Sequence, residues 1–316
     1  MSDEILLSIC IPTYNRGEIL IKTIEAYIND PAFNEQVEIV ISDNCSTDHT
    51  EELITKYLNR FRNIKYKRMS ENIGAELNMS TVMTMGSGLY LKLMNDTVTM
   101  KPGILKYMLN ILDLSKNQSN PTFFYQNIPF SRSNQTVFCS DMNELVSSVS
   151  FWITWISNFG IWQKDFKSLE NKNRLAHLQF PQSDWTIRLI NGNKNNIIYF
   201  GDYYNIANLT TKGGYNVFQT FGVNYLSLYA DYIKSGLMNV KVYNKEKYRL
   251  FRFNLLNLYF RLVLLKDEKL FFEKGNAFKI MFINYRYKPY FYLGLIYLRL
   301  RLILEKLKRN LNFAII

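Results

Sequence analysis

Short apolar strands alternate with amphipathic helices over the first 114 residues, and this alternation constrains the fold more than any other feature. The predicted strands are Leu6–Ile11, Val37–Ile41, Ile64–Lys67 and Leu89–Met94. The helices predicted after them are Gly17–Asn29, Thr47–Phe61, Ala75–Met85 and Pro102–Leu114. Short buried strands that are each followed by a helix indicate a parallel sheet covered on both faces. We therefore predict an α/β fold with a doubly wound, mostly parallel sheet.

Beyond Lys116 the alternation weakens. The predicted elements there are strands at Phe123–Phe130 and Gln135–Cys139 and helices at Ser183–Ile190 and Phe218–Lys234. Charge then changes sharply, because residues 241–316 hold 17 Lys and Arg against 5 Asp and Glu, whereas residues 1–240 hold 21 against 22. Such asymmetry indicates a region with its own role. We predict an α/β domain over residues 1–240 and a basic helical extension over residues 241–316.

A polar loop follows each of the four strands. The loops are Thr13–Arg16, Ser42–Asp48, Ser70–Gly74 and Asn95–Thr97. In open α/β sheets, ligands bind outside the carboxyl ends of the strands. The four loops are therefore predicted to face one crevice.

The residue types in the first three loops suit a nucleotide. An exposed Tyr14 can stack on a base, and Arg16 can bind a phosphate. The Asp43 carboxylate can accept hydrogen bonds from a base edge. Asn72 and Gly74 open a helix, where glycine lets the backbone approach a ligand and free amides attract anions. A plain helix-start turn explains Gly74 equally well.

The fourth loop suggests a metal site. A Mg²⁺ or Mn²⁺ ion bound through oxygen ligands can neutralise a diphosphate leaving group, and such sites use few protein carboxylates. Asp96 is the predicted metal ligand, with Asn95 supporting it through water. The alternative is a solvated turn after the strand.

Taken together, the loops resemble the family-2 glycosyltransferases. The segments that carry the resemblance are Ile9–Arg16, Ile39–Asp48 and Asn72–Gly74, and it extends over roughly residues 5–110. The resemblance implies the GT-A fold and an inverting transfer from a sugar nucleotide, often a UDP-sugar. It places Pro12, Thr13 and Tyr14 beside the base and ribose, and Asp43 at the uracil edge. The predicted nucleotide-binding residues are thus Pro12, Thr13, Tyr14, Arg16, Asp43, Asn72, Gly74 and Asn95.

One departure from the family pattern concerns the metal. The family usually has an Asp-x-Asp motif after the fourth strand, but this chain has Asn95, Asp96 and Thr97, with a single carboxylate. Weak or metal-poor binding is therefore an open alternative. So is a degenerate family member that binds a nucleotide sugar or a partner without transferring the sugar. A nucleotidyltransferase ranks lower, because the loop after the first strand lacks a glycine-rich phosphate-binding sequence.

An inverting transfer needs a general base for the acceptor hydroxyl. The family places an Asp or Glu near the start of a later helix, and Asp184 fits that context. Asp165 and Asp202 are the alternatives. Asp184 can equally be a helix N-terminal carboxylate that stabilises the helix dipole.

The C-terminal extension interleaves basic, aromatic and aliphatic residues. From Leu293 onwards an apolar stripe keeps helical spacing: Ile296, Tyr297, Leu300, Leu304, Leu307 and Leu311. Arg299, Lys306 and Arg309 fall outside the stripe. This pattern suits an anionic membrane surface, and packed helices with a solvated basic face are the alternative.

These features suggest partners and a location. A nucleotide sugar donor, a saccharide or lipid-linked oligosaccharide acceptor and an anionic membrane are the predicted partners. Nucleic acid is not, because no recognition module is present. Looser resemblance of Phe159–Trp162 and Gly213–Asn216 to bacterial polysaccharide-building members implies O-antigen or capsule synthesis. Without an export signal or a long apolar run, the expected location is the cytoplasmic face of the cell membrane.

Overall fold

The structure, a computed structural model, describes residues 4–118, 120–129, 131, 134–207 and 213–313. The chain divides into two compact units, Met1–Asn208 and Leu209–Ile316. The second unit thus begins earlier than the boundary predicted at Lys241. The reason lies in packing. The ring centroids of Phe218 and Tyr259 are 6.2 Å apart, and the Tyr225 hydroxyl donates to the Glu246 carboxylate at 2.9 Å. Charge marks where the basic helices begin, whereas the unit also includes the neutral segment that packs on them.

The first unit is built around a five-stranded sheet of order β3-β2-β1-β4-β8. The strands of this unit are β1 (Leu7–Thr13), β2 (Val37–Asp43), β3 (Ile64–Arg68), β4 (Tyr90–Leu93), β5 (Val98–Met100), β6 (Thr122–Gln126), β7 (Thr136–Cys139), β8 (Gly160–Trp162), β9 (Asn196–Gly201) and β10 (Tyr204–Ile206). Strands β1 to β4 run parallel, and only β8 pairs antiparallel at the edge of this sheet. The predicted doubly wound, mostly parallel sheet is confirmed.

Two smaller sheets complete the first unit. Strand β9 pairs parallel with β6 and antiparallel with β7, and β10 pairs antiparallel with β5. The sequence predicted β6 and β7, although Phe130, the end of the first prediction, lies outside the described residues.

The helices of the first unit cover the central sheet. They are α1 (Gly17–Ile28), α2 (Thr50–Leu58), α3 (Ala75–Met85), α4 (Ile104–Ser115), α5 (Met142–Val149), α6 (Gln163–Ser168) and α7 (Pro181–Gly192). Short 3₁₀ turns occur at Ser150–Thr154, Ile156–Asn158 and Ala176–Leu178. Helix α1 shows why these segments are helical, because Leu20, Ile24 and Tyr27 share one face and are fully buried.

The second unit is mainly helical. Its elements are β11 (Gly213–Asn216), α8 (Val217–Gln219), α9 (Ala230–Lys234), α10 (Val240–Leu250), α11 (Leu256–Leu258), β12 (Phe271–Glu273), α12 (Ala277–Tyr285) and α13 (Pro289–Phe313), with π-helical turns at Thr220–Tyr225, Phe251–Leu255 and Tyr259–Leu264. The single helix predicted over Phe218–Lys234 is wrong, because a turn after the π-helix interrupts it. Across the described residues, no helix combines the length and apolar character needed to cross a membrane.

Glu38 on β2 is a buried charge that fixes one side of the sheet. Its carboxylate lies 2.7 Å from the Lys65 ammonium and accepts hydrogen bonds from the Ser8 hydroxyl and the Ser87 amide, both at 2.6 Å. Burial opposes ionisation, yet these partners outweigh it and lower the pKa of Glu38 below its usual 4.5. Its contribution to stability is therefore present above pH 4.5 and is lost as the pH falls through the lowered pKa.

We predict that Glu38→Gln destabilises the protein at neutral pH by about 1–3 kcal/mol, because buried hydrogen bonds to a charged group are lost. The variant should also lose less stability than the wild type on acidification. Thermal unfolding between neutral and acidic pH measures both effects, with Glu35→Gln on an exposed turn as the control. Parallel pH profiles for wild type and Glu38→Gln would contradict the prediction.

Candidate active site

The carboxyl ends of β1 and β2 lie side by side. In the parallel register, Thr13 pairs with Asp43, the last residues of the two strands. Asn78 on α3 ties these ends together, because its side-chain amide donates to the Ser42 carbonyl at 3.0 Å and accepts from the Ser42 hydroxyl at 2.6 Å. Loops that leave the two strands therefore start from one edge.

Asp96 joins the first loop to the fourth. Its carboxylate accepts a hydrogen bond from the Thr13 hydroxyl at 3.0 Å and forms an ion pair with Arg16 at 2.9 Å. The Thr23 hydroxyl donates to the Asp96 carbonyl at 2.7 Å. The Asp96 side chain is buried, with 3% exposed, whereas the Arg16 side chain is 33% exposed.

The first loop also binds the second. The Asn15 backbone amide donates to the Ser46 hydroxyl at 2.8 Å, and the Thr47 backbone amide donates to the Asn15 side-chain oxygen at 2.7 Å. Asn15 adopts a left-handed backbone with φ of 51°, a conformation that asparagine tolerates better than most residues. The Gly17 amide, at the start of α1, donates to Asp48 at 3.1 Å.

The second loop binds the third through two asparagines. The Asn44 side-chain amide donates to the Asn72 side-chain oxygen at 2.8 Å and accepts from the Ile73 amide at 2.9 Å. The Gly74 amide donates to the same Asn72 oxygen at 3.0 Å. Gly74 has a φ of 87°, which favours glycine at this position. All four predicted loops are thus linked to one another at one edge of the sheet.

Asp43 lies deeper than its predicted ligand role requires. It is fully buried, and its carboxylate accepts from the Ser46 amide at 2.9 Å and from the Tyr66 hydroxyl at 2.7 Å. Burial and the bond to Asp43 both raise the pKa of Tyr66 well above its usual value. Asp43 therefore shapes the second loop, and its contact with a base stays a prediction.

The other predicted nucleotide-binding residues differ in exposure. Tyr14 is 42% exposed, as a stacking residue requires, and Pro12 near the end of β1 is half-buried. Asn95 faces Ser157, whose hydroxyl accepts from the Asn95 amide at 3.1 Å and from its side chain at 3.2 Å. The fourth loop is therefore anchored on the 3₁₀ segment 150–158.

Segment 150–158 also holds the start of α7, which carries the candidate base. The Gln182 side chain donates to the Thr154 carbonyl at 2.6 Å, and the Ser183 hydroxyl donates to the Ile153 carbonyl at 3.1 Å. Sequence reasoning missed this segment, because its short 3₁₀ turns produce no lasting apolar period.

Asp184 is buried in α7 and is held by two arginines. Arg174 Nε lies 3.1 Å from both carboxylate oxygens, and Arg188 Nη1 lies 3.5 Å from Oδ2. The neighbouring Trp185 is a core residue, fully buried, whose ring N–H donates to the Lys172 carbonyl at 2.7 Å. Asp184 thus has a fixed orientation, but an acceptor must reach a carboxylate that is now only 1% exposed.

The two alternative bases lie in different surroundings. Asp165 on α6 is half-buried, and burial raises the pKa of its carboxyl. Asp202 is exposed, and hydrogen bonds from Lys101 and Gln126 lower the pKa of its carboxyl.

The side chains around Asp96 do not fit the predicted metal site. Both of its carboxylate oxygens contact protein groups, one from Thr13 and the other from Arg16. Within the described ranges, no group of three or more His, Cys, Asp or Glu side chains is arranged to hold a metal ion. The positive charge beside Asp96 is the Arg16 guanidinium.

Comparison with known proteins identifies the region that contains the four loops. Residues 8–138 match the family described as glycosyl transferase family 2. This region is a family-2 glycosyltransferase domain. Abequosyltransferase RfbV from Salmonella typhimurium is 43% identical over 86 residues, which cover 27% of this chain and 26% of that protein. The aligned region thus spans about a quarter of that relative.

A second relative aligns over a shorter segment, whereas a structural match extends further. Validoxylamine A glucosyltransferase from Streptomyces hygroscopicus is 43% identical over 61 residues, which cover 19% of this chain and 14% of that protein. The structure of Staphylococcus aureus TarS 1–349 in complex with UDP-GlcNAc matches with a TM-score of 0.61 and 16% identity, and covers 88% of this chain and 81% of that one. This likeness supports the GT-A fold of the glycosyltransferase domain.

The buried contacts of Asp43 give a first test of the site. Asp43→Ala should lower stability by about 2–4 kcal/mol, since buried donors lose a charged acceptor, and should also weaken UDP binding. Tyr66→Phe is the matched control, because it removes one of the same hydrogen bonds but leaves the carboxylate. Calorimetric titration with UDP and thermal unfolding separate the two effects. Unchanged UDP affinity in folded Asp43→Ala would remove Asp43 from the nucleotide site.

Proposed function

We propose that this protein is an inverting glycosyltransferase that uses a nucleotide sugar, with UDP as the nucleotide. The observation that carries the proposal is the linked cluster of four loops at the carboxyl edge of β1 to β4, where α/β folds bind ligands. The names of the relatives support it, since they include an abequosyltransferase and a glucosyltransferase. TarS structures in complex with UDP and with UDP-GlcNAc support the choice of nucleotide.

Within the cluster, Asp43 is assigned to the edge of the base. Tyr14 stacks on the base, and Pro12 and Thr13 border the nucleoside. Arg16 faces the diphosphate, with its guanidinium one-third exposed. In this proposal the cation beside Asp96 is the Arg16 guanidinium, so no step is assigned to a metal ion.

The remaining two roles belong to backbone and water. The Gly74 amide is engaged by the Asn72 side chain, so these two residues position the start of α3, where the first-turn backbone amides favour a bound anion. Asn95 contacts the donor through water from its anchored position beside Ser157.

For transfer, the acceptor hydroxyl oxygen attacks the anomeric carbon of the donor sugar and gives its proton to a base, while the bond to the diphosphate breaks and UDP leaves. We assign the proton acceptor as Asp184, which Arg174 and Arg188 orient at the start of α7. Asp165 and Asp202 are the alternatives. The acceptor is a saccharide, lipid-linked, in bacterial O-antigen or capsule synthesis.

The exposed ring of Tyr14 offers the sharpest test of donor binding. Tyr14→Ala should weaken UDP binding by about 5- to 100-fold, since stacking of a base on an aromatic ring contributes about 1–3 kcal/mol. Tyr107→Ala on α4 is the control, because Tyr107 is 39% exposed and lies outside the four loops. Equal UDP affinity of both variants would contradict the stacking role. If the wild type bound none of a full panel of nucleotide sugars, the proposed function would be refuted.

The proton acceptor is tested by activity rather than by binding. Asp184→Asn should reduce transfer by about 10²- to 10⁴-fold, the usual contribution of a general base, while UDP affinity is preserved. Asp165→Asn and Asp202→Asn are the comparison variants. If Asp184→Asn stayed fully active, the general base would have to be a residue other than Asp184. A wild-type protein that binds the donor but never releases UDP would favour the alternative, a family member that binds without transfer.

The second unit supports a membrane location at the cytoplasmic face. The apolar stripe on α13 is exposed, at 58% for Ile296, 57% for Leu300 and 58% for Leu304. Leu298 on the other face is buried at 2%, so α13 packs on one side and leaves the stripe uncovered. The exposed basic residues Arg299 and Lys306 flank the stripe. The side chains of Arg309 and Leu311 lie outside the described residues. Exposed apolar and basic groups together suit an anionic lipid surface.

Charge variants of α13 test the membrane location. Replacing Arg299, Lys306 and Lys308 by Gln should weaken binding to phosphatidylglycerol vesicles by roughly 100-fold, because each basic residue contributes about 1 kcal/mol near such a surface. The control carries Gln at Lys22, Lys106 and Lys164, three exposed lysines of the first unit. Equal loss in both triple variants, or no vesicle binding by the wild type, would contradict the proposal.

A further inference from the structure

Asp96, the only carboxylate of the Asn95–Thr97 loop, already holds a cation that the protein itself supplies. Arg16 Nη1 lies 2.9 Å from Asp96 Oδ1, and the Thr13 hydroxyl occupies Oδ2 at 3.0 Å. The pair joins residues 80 positions apart in the sequence, so the fold itself brings them together. A divalent ion at Asp96 would compete with the Arg16 guanidinium for the same carboxylate.

The surroundings of Asp96 add little negative charge to attract such an ion. Asn95 and Thr97, its neighbours in the loop, are neutral. Asp43 pairs with Thr13 in the register of β1 and β2, and its carboxylate is engaged by Ser46 and Tyr66. A hard divalent cation requires several oxygen ligands. With Asp96 as the single carboxylate, water and substrate would have to supply most of them.

Arg16 itself is suited to meet an anion. It lies at the start of α1, where the helix dipole favours negative charge, and its side chain is one-third exposed. A guanidinium carries five N–H donors in a planar fork that matches phosphate oxygens, so a bond from Nη1 to Asp96 leaves others to bind a ligand. Asp96 and Thr13 hold this fork in one orientation.

We infer that Arg16, anchored by Asp96, supplies the positive charge that binds the donor diphosphate, so that nucleotide binding does not depend on a divalent cation. This inference rests on the proposed function, because it concerns the same donor site. Asp96 is then a positioning residue that acts through Arg16.

The test is calorimetric titration of the full chain with UDP, in EDTA and in Mn²⁺. Wild-type affinity should differ less than twofold between the two conditions. Arg16→Gln should lose at least tenfold in EDTA, and Arg16→Lys should lose less because it keeps the charge. Arg60→Gln is the matched control and should bind as the wild type does, because Arg60 is an exposed arginine in the turn after α2.

A second measurement tests whether Arg16 acts through its positive charge or only supports the structure of the loop. Without the guanidinium, Asp96 becomes available to a cation, so Mn²⁺ should restore part of the UDP affinity of Arg16→Gln. The double variant Arg16→Gln/Asp96→Asn should show no such rescue. Thermal unfolding confirms that each variant is folded before it is titrated.

The outcomes distinguish this inference from the proposed function. A wild type whose UDP affinity falls tenfold in EDTA and recovers with Mn²⁺ would overturn the inference and leave the glycosyltransferase proposal intact. Unchanged UDP affinity in folded Arg16→Gln would overturn it as well. Failure of UDP and of every nucleotide sugar to bind the wild type, with or without Mn²⁺, would instead refute the proposed function.

Discussion

The contact between Asp96 and the first loop is the interaction on which the site depends. Strands β1 and β4 are neighbours, so the loops that follow them leave the sheet together. Asp96 then fixes their distance by binding Thr13 and Arg16 at once. Because the Asp96 carboxylate is buried, removing Arg16 would take away the countercharge of a buried ion and destabilise the protein. The same contact determines where the Arg16 guanidinium stands, and so it connects the packing of the sheet to the chemistry proposed for it.

Much of the first unit could be predicted because its signals are local. Short runs rich in β-branched residues, such as Ile39–Ile41 of β2, mark buried strands, and the buried face of α1 follows the helical period. Convergence of the loops then followed from one rule of topology, that parallel strands present their carboxyl ends at one edge. The structure confirms this convergence through direct bonds, including the one from Asn44 to Asn72.

Other features could not be predicted, because they depend on which distant side chains meet. No residue near Asp43 in the sequence predicts its bond with Tyr66, and no residue near Asp96 predicts its ion pair with Arg16. For Asp184, helix position predicted a carboxylate near the start of α7, but its pairing with Arg174 is a tertiary contact. The unit boundary was missed for a related reason, since charge identifies basic helices but does not report which neutral segment packs on them.

The central claim is that four separate loops bind one sugar diphosphate, and amide hydrogen exchange tests it most directly. Exchange would be followed by mass spectrometry with and without a saturating UDP-sugar. We predict simultaneous slowing in all four loops, at residues 13–17, 44–48, 72–75 and 95–97, with no change in the edge strand β7. Protection confined to one loop, or found only outside the four, would contradict the account.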